Sequence, residues 1–336
     1  MDEKQNYLAE LHSFRGLAIL LIVASHILYA DLESSSYGVL RIVFLNSTIF
    51  FAFISGYLFQ HLLGRYEYAK YLTKKAKFVI LPYLLVSIPA IGIRWAGGPS
   101  YMALYHWPTI GDSPFALQVV YYLGTGAHLL PLWYIPMIAL YFLGAPLFKF
   151  IDERRGYGIL PLLFILSFCL PRDPYNINEI FVMAGHFLSV YVLGMFYSRY
   201  RAVVDVYVFK HIYSLIAVFV LFTGLSYMDW QYASQVVFVQ KILCIPVLIF
   251  LLRNIRSRWI HRPLQYLADT SFGIYFIHFY VVLGVRYLSL YYLHTEYPST
   301  IWMWCVSFIG VMVISFLIVC IVQLVFRKYS RWLIGS

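Results

Sequence analysis

The chain has 336 residues, of which 62% are hydrophobic and only 12% charged. A soluble globular domain carries about 25% charged residues, so the composition excludes one and points to an all-α polytopic membrane protein. The net charge of +10 needs no nucleic acid to explain it, because the basic residues sort into one set of loops.

A spanning helix takes roughly 20 mainly apolar residues. The apolar runs predict about ten spans, over roughly 14–31, 40–63, 78–96, 129–150, 157–171, 180–198, 211–228, 235–252, 268–292 and 300–326. The fifth is short, and 115–128 reads as an amphipathic or re-entrant piece before the fourth. The first run cannot be read as a removable leader alone, since similar runs continue to the C-terminus. No repeat or soluble segment is left over, so 1–336 reads as a single transmembrane domain. Cys169, Cys244, Cys305 and Cys320 all lie in apolar runs without ligand spacing. They read as packing residues, and no metal site is expected.

Loop charge sets the orientation. One set of loops holds Lys70, Lys74, Lys75, Lys77, Arg154, Arg155, Arg199, Arg201, Arg253, Arg256, Arg258 and Arg262, and the C-terminus adds Arg327, Lys328 and Arg331. The alternate set holds Asp31, Glu33, Asp112, Asp173, Asp229 and Glu296. The positive-inside rule places the first set, and both termini, in the cytoplasm. Membrane lipids with anionic headgroups are incidental partners of that charge.

Two residues of the first span stand out. In "FRGLAILLIVASHILYA", Arg15 opens the run and His26 lies deep within it. An ionisable group at mid-membrane costs roughly 2.5–3.5 kcal/mol on insertion scales. The two are 11 residues apart, which at about 100° and 1.5 Å per residue puts them on one face and roughly 16 Å apart. Arg15 then sits at the cytoplasmic mouth, with His26 in the outer half. That spacing is close to the reach of an extended pantetheine arm. A guanidinium suits phosphate because it stays charged and donates in a fork, and a neutral imidazole suits proton abstraction from a hydroxyl. Taken singly, Arg15 also reads as a snorkelling anchor and His26 as an interhelical hydrogen bond. Their shared face predicts a cavity that opens near Arg15, narrows toward His26 and has an outer opening beside Asp31 and Glu33.

"RGLAILLIVASH", Arg15 to His26, resembles the first-helix motif of membrane acyltransferase family 3, the prokaryotic integral-membrane O-acyltransferases. That motif is an Arg or Lys, ten residues, then His. The resemblance continues in family order. "FFAFISGYLF" is similar to its aromatic-Ser-Gly helix, at Ser55 and Gly56. "KKAKFVILPYLL" resembles its Arg-x-x-Arg helix, with Lys74 and Lys77 in place of the arginines. "LPLWYIPMI" resembles its Leu-Trp-aromatic helix, with Pro131 where many relatives have His and His128 one turn earlier. "YVLGMFYSR" and "TSFGIYFIH", the latter with Ser271, Tyr275 and His278, complete the series.

The resemblance implies an enzyme that moves an acyl group, most often acetyl, from cytoplasmic acyl-CoA to a hydroxyl. The acceptor is an extracytoplasmic polysaccharide or lipid-linked sugar of the cell envelope, such as an exopolysaccharide, and the location is the bacterial inner membrane. His26 is then the general base. Arg15 holds the coenzyme A phosphates with support from Lys74 and Lys77, for which positive-inside anchoring is the plainer reading. Trp133 and Tyr134 are candidates to stack on a sugar, or pack. Tyr275 and His278 shape the cavity, or make interhelical hydrogen bonds. Ser55 and Gly56 read as a close helix approach, since no base beside Ser55 is identified. Lys241 and Arg286 take no role. The rival reading is a proton-coupled secondary transporter or flippase using His26 and Arg15.

Overall fold

The computed structural model describes residues 3–28, 34–103, 113–170, 172, 179–228, 232–255, 257–294 and 300–336. Asp31, Glu33, Asp112, Asp173, Asp229, Arg256 and Glu296, which entered the orientation argument, lie outside the described residues.

Among the described residues all regular structure is helical. α1 is Glu3–His26, α2 Ser34–Phe44 and α3 Thr48–His61. α4 (Tyr68–Lys75) runs through a π-helical turn, Ala76–Ile80, into α5 (Leu81–Ala103). α6 (Phe115–Thr125) leads by a 3-10 turn, Leu130–Trp133, to α7 (Tyr134–Leu143), α8 (Ala145–Glu153) and α9 (Leu160–Cys169). α10 (Ile180–Arg199), α11 (Arg201–Lys210) and α12 (Ile212–Leu225) follow. The last elements are α13 (Ala233–Asn254), α14 (Arg258–Leu288), α15 (Ile301–Phe326) and α16 (Ser330–Leu333).

Among the described residues, six helical stretches are long and apolar enough to cross a membrane: Tyr37–His61, Tyr68–Ala96, Ile180–Arg199, Ala233–Asn254, Arg258–Tyr292 and Ile301–Leu333. Two bent pairs raise the number to eight, Phe115–Thr125 with Leu130–Leu143 (71°) and Arg201–Lys210 with Ile212–Leu225 (76°). The sequence predicted about ten. The difference lies in the first run, which belongs to a helix opening on polar residues from Glu3, and in the fifth, where the apolar helix Tyr157–Cys169 is short. The piece at 115–128 is the first limb of a bent pair. Its bend is made by Gly126, whose φ of +74° and close approach to the Trp133 backbone leave no room for a side chain.

Small residues let the central helices touch. A Cβ on Gly16 would lie 1.9 Å from the Leu264 carbonyl oxygen, so α1 and α14 meet backbone to backbone. Gly56 and Gly194 do the same for α3 and α10, against Tyr191 and Phe53. This is the usual way helices associate where apolar burial alone gives no preference, and it bears out the packing role read for Gly56.

The span Tyr37–His61 is broken at Asn46, which adopts a left-handed conformation (φ 61°) tolerated by Asn. The break frees carbonyls inside the apolar layer, and Lys241 Nζ takes two of them, Ile42 O at 2.9 Å and Val43 O at 2.6 Å. Lys241, without a role on sequence, thus caps the C-terminal end of α2.

Charged residues gather at the opposite end from this break. Arg253 reaches Asp205 (2.9 Å) and Glu10 (3.8 Å), Arg201 reaches Asp205 (3.4 Å), and Arg199 reaches Asp152 (3.4 Å). His12 contacts Asp269 at 3.0 Å. Lys77 lies over Trp332 and Arg331 over Phe78. The N-terminal turns of α1, the basic loops and the C-terminus therefore share one end. Glu10, ahead of the first span, is half-buried there. Burial pushes its carboxyl above the ordinary value, against the pull of Arg253 and Arg201.

Candidate active site

α1 and α14 run side by side in the same direction. Ser13 meets His261 (2.9 Å) near their start, and His26 meets His278 farther along. Arg15 lies over the Phe272 ring at 5.2 Å, while His26 packs against His278 and Phe279. Both α1 residues thus face α14, as the 11-residue spacing predicted.

The histidine pair has a defined polarity. His278 Nδ1 is 2.9 Å from the Ile274 carbonyl oxygen, and His26 Nδ1 is 3.0 Å from His278 Nε2. A carbonyl only accepts, so His278 Nδ1 carries the proton and, in the neutral ring, Nε2 accepts. His26 Nδ1 must then donate to it. This leaves His26 Nε2 with a bare lone pair, the form required of a general base. His278 is fully buried and His26 half-buried, so the donor side of the relay is sealed while His26 keeps some access.

Aromatic residues close around this pair. Tyr275 lies 6.2 Å from His278 and from Tyr134, and its hydroxyl donates to the Pro131 carbonyl. Tyr134 pairs with Ser55 (3.4 Å), and Trp133 adjoins Tyr134. Trp133, Tyr134 and Tyr275 are all buried, and the Trp133 ring is flanked by Phe187 and by the Arg172 guanidinium. The structure brings together the four residues singled out as weak substrate contacts, but as the wall of the histidine pair rather than as an open stacking platform.

His128 does not join them. Its Nδ1 faces the Tyr122 carbonyl (2.9 Å) and its Nε2 the Ser87 hydroxyl (2.7 Å), so both nitrogens are engaged. It braces the bend between α6 and α7.

At the Arg15 end a cavity of 410 Å³ lies between α1, α3 and α14, lined by Ala9, Leu11, His12, Arg15, Ile54, Leu58 and Gln265. It does not run on to His26. Ala18, Ile19 and Ile22 between the two residues are fully packed. The expected cavity is therefore present at its mouth and closed above it, and its expected outer opening, beside Asp31 and Glu33, falls outside the described residues.

The half-buried lysine of α4 is Lys75. It lies over Phe142 (4.6 Å) and Tyr71 (5.3 Å) and is close enough for its charge to oppose that of Arg15. Arg331 and Asp269 are also within electrostatic range of Arg15. Lys74 is exposed, and Lys77 is exposed over Trp332. Between α4 and α5 lies the π-turn Ala76–Ile80, where the Leu81 N–H bonds to Ala76 O. It precedes Pro82, which has no N–H to continue an α-helical ladder. Lys74 therefore lies on α4 and Lys77 within the π-turn.

Two basic side chains escaped sequence reasoning, Arg172, within electrostatic range of His26, and the buried His186. Arg172 bonds Asn46 Oδ1 (3.2 Å) and stacks on Trp133. His186 Nδ1 is held by the carbonyls of Leu170 (2.8 Å) and Ser167 (3.1 Å). Among the described residues, no group of three or more His, Cys, Asp or Glu is placed to hold a metal ion.

These features define a multi-pass, all-helical membrane protein with an oriented imidazole pair between two of its helices and a basic mouth along the same line. A family model described as an acyltransferase domain matches residues 8–320, nearly the whole chain, and the chain belongs to acyltransferase family 3. No curated protein matches it, and no solved structure does. Membership in the family makes it a transferase of acyl groups and favours the enzyme over the transporter reading.

Proposed function

We propose that this protein is an O-acyltransferase of the bacterial inner membrane that uses His26 as general base. In this reading it takes an acyl group, acetyl in the simplest case, from cytoplasmic acyl-CoA to a hydroxyl of an extracytoplasmic polysaccharide or lipid-linked sugar. The observation that carries the reading is the chain of hydrogen bonds from Ile274 O through His278 to His26, which leaves His26 Nε2 free to accept a proton.

In this reading the donor's phosphates sit at the cavity mouth on Arg15, with Lys75 and Arg331 within electrostatic range of it and Lys74 and Lys77 in support. The guanidinium supplies the fork and the ammonium a point charge. From the mouth the pantetheine arm follows α1 toward His26, and the packing at Ala18 and Ile22 yields to admit it. There the acceptor hydroxyl gives its proton to His26 Nε2 as its oxygen attacks the thioester carbonyl. His278 holds the imidazole in the required tautomer and keeps its charged form hydrogen-bonded. The departing thiolate takes the proton back. Among the described residues no side chain beside the pair is set up as a covalent nucleophile, and the reading takes transfer as direct.

The test is mass spectrometry of envelope glycans from cells with and without this protein. Loss of an acyl substituent in the deletion, restored by the wild-type gene, supports the reading. Identical acylation in both strains refutes it.

A further inference from the structure

Arg172 carries a charge into the centre that the scheme above does not use. Its backbone is fixed on both sides: the Ser234 hydroxyl donates to its carbonyl (3.1 Å), and the Leu170 carbonyl two residues earlier accepts from His186 (2.8 Å). Its side chain is fixed too, by Asn46 Oδ1 on Nη1 (3.2 Å) and by the Trp133 face (5.2 Å). Yet Nε is buried and has no hydrogen-bond partner, and among the described residues no carboxylate pairs with the guanidinium. A buried donor left unpaired on a full charge is costly unless something else meets it. The group is also close enough to His26 for their charges to interact. Trp133, Tyr134 and Tyr275 link the two in a continuous wall.

A held positive group with a spare donor within electrostatic range of a general base has a use in acyl transfer, because negative charge develops on the carbonyl oxygen. We propose that Arg172 is a second catalytic group of this centre, donating its free N–H to the oxyanion of the tetrahedral intermediate. The inference rests on the reading of His26 as the base. In the step, the acceptor O–H bond breaks toward His26 Nε2, the new O–C bond forms, and the carbonyl π pair moves onto oxygen beside Arg172. Collapse returns that pair, breaks the C–S bond, and the thiolate recovers the proton from His26. Arg172 gains and loses nothing; it is preorganised for the charge and pays no reorganisation when it appears.

The experiment measures transfer from radiolabelled acetyl-CoA by membrane vesicles carrying the full-length protein. Removing one oxyanion donor lowers kcat by roughly 100- to 1,000-fold. Arg172→Gln is expected to show such a loss with donor KM within about threefold of wild type, and Arg172→Lys an intermediate one. If Arg172→Gln protein fails to accumulate, Arg172→Lys decides: a kcat loss of about tenfold or more at unchanged KM supports the role, and a wild-type kcat overturns it. A wild-type kcat in Arg172→Gln, or a loss confined to KM, overturns it as well. Should His26→Ala protein stay active, or the wild type transfer no acetyl group, the underlying reading falls. Should His26→Ala be inactive while Arg172→Gln keeps its kcat, only the present inference falls.

Discussion

Gly16 is where a single methyl group should uncouple the histidine pair without touching it. In Gly16→Ala the new Cβ meets the Leu264 carbonyl oxygen at 1.9 Å and its carbon at 2.7 Å, where ordinary contact begins at 3.4 Å. The obstacle is backbone, so it cannot rotate away. α1 and α14 must part by 3.4 − 1.9 = 1.5 Å. His26 lies ten residues farther along, about 15 Å at the helical rise. If the helices separate as rigid rods, the 3.0 Å contact from His26 Nδ1 to His278 Nε2 opens to 4.5 Å. Half that shift still takes it to about 3.75 Å, past hydrogen-bonding range. Overpacking of this kind costs about 1–3 kcal/mol of stability, and misplacing a catalytic group by about 1 Å costs on the order of 100-fold in rate. The assay is acetyl transfer in membrane vesicles, normalised to folded protein. Gly310→Ala serves as control, since a Cβ there meets nothing within 4 Å. Gly16→Ala protein that accumulates normally and transfers within threefold of wild type would refute the claim that the α1–α14 contact sets the geometry of the pair.

Three further outcomes follow from the same structure. His278→Ala removes the acceptor that fixes His26's tautomer, and transfer should fall by about 10- to 100-fold with donor KM unchanged, an effect of the size seen when an orienting partner is lost; unchanged kcat in a folded variant would show that the relay is idle. Lys75→Ala should raise the KM for acetyl-CoA by several-fold, whereas exposed Lys74→Ala should leave it near wild type; the reverse order would place the phosphates on Lys74, as the family resemblance implies. Glu10, whose carboxyl is raised mainly by burial, should make the wild type lose stability as pH rises from 4.5 through the folded-state value, because the folded state holds the proton longer than the unfolded chain. Glu10→Gln should flatten that part of a plot of Tm against pH in detergent, and an unaltered slope would show that the burial penalty is not there.

What the sequence made legible was whatever broke its own pattern. Arg15 and His26 are outliers in an apolar run, and helical spacing alone put them on one face, where Phe272 and His278 meet them. Ser55-Gly56 was readable because small residues in a span have few uses besides close approach. Where local geometry departs from a regular α-helix, the reading failed. The π-turn at Ala76–Ile80 was not foreseen, nor was Lys75 as a charge within range of Arg15. The break at Asn46 was hidden because the residues flanking it, from 40 to 63, are apolar enough to pass as one helix. Arg172 sits beside prolines and Asp173 between two apolar runs, a pattern that reads as a surface loop; only the fold returns it to Trp133 and Asn46. His186 carried the same signal as His26, a histidine deep in an apolar span, and the criterion used for one applied equally to the other.

The central claim is that His26 accepts the acceptor's proton, and the most direct measurement is acetyl transfer from radiolabelled acetyl-CoA by purified wild-type and His26→Ala protein, each shown by thermal unfolding to be folded. The wild type is expected to transfer and the variant to show none above background, with donor binding retained in both because Arg15 and its cavity are untouched. Transfer at the wild-type rate by folded His26→Ala protein would contradict it.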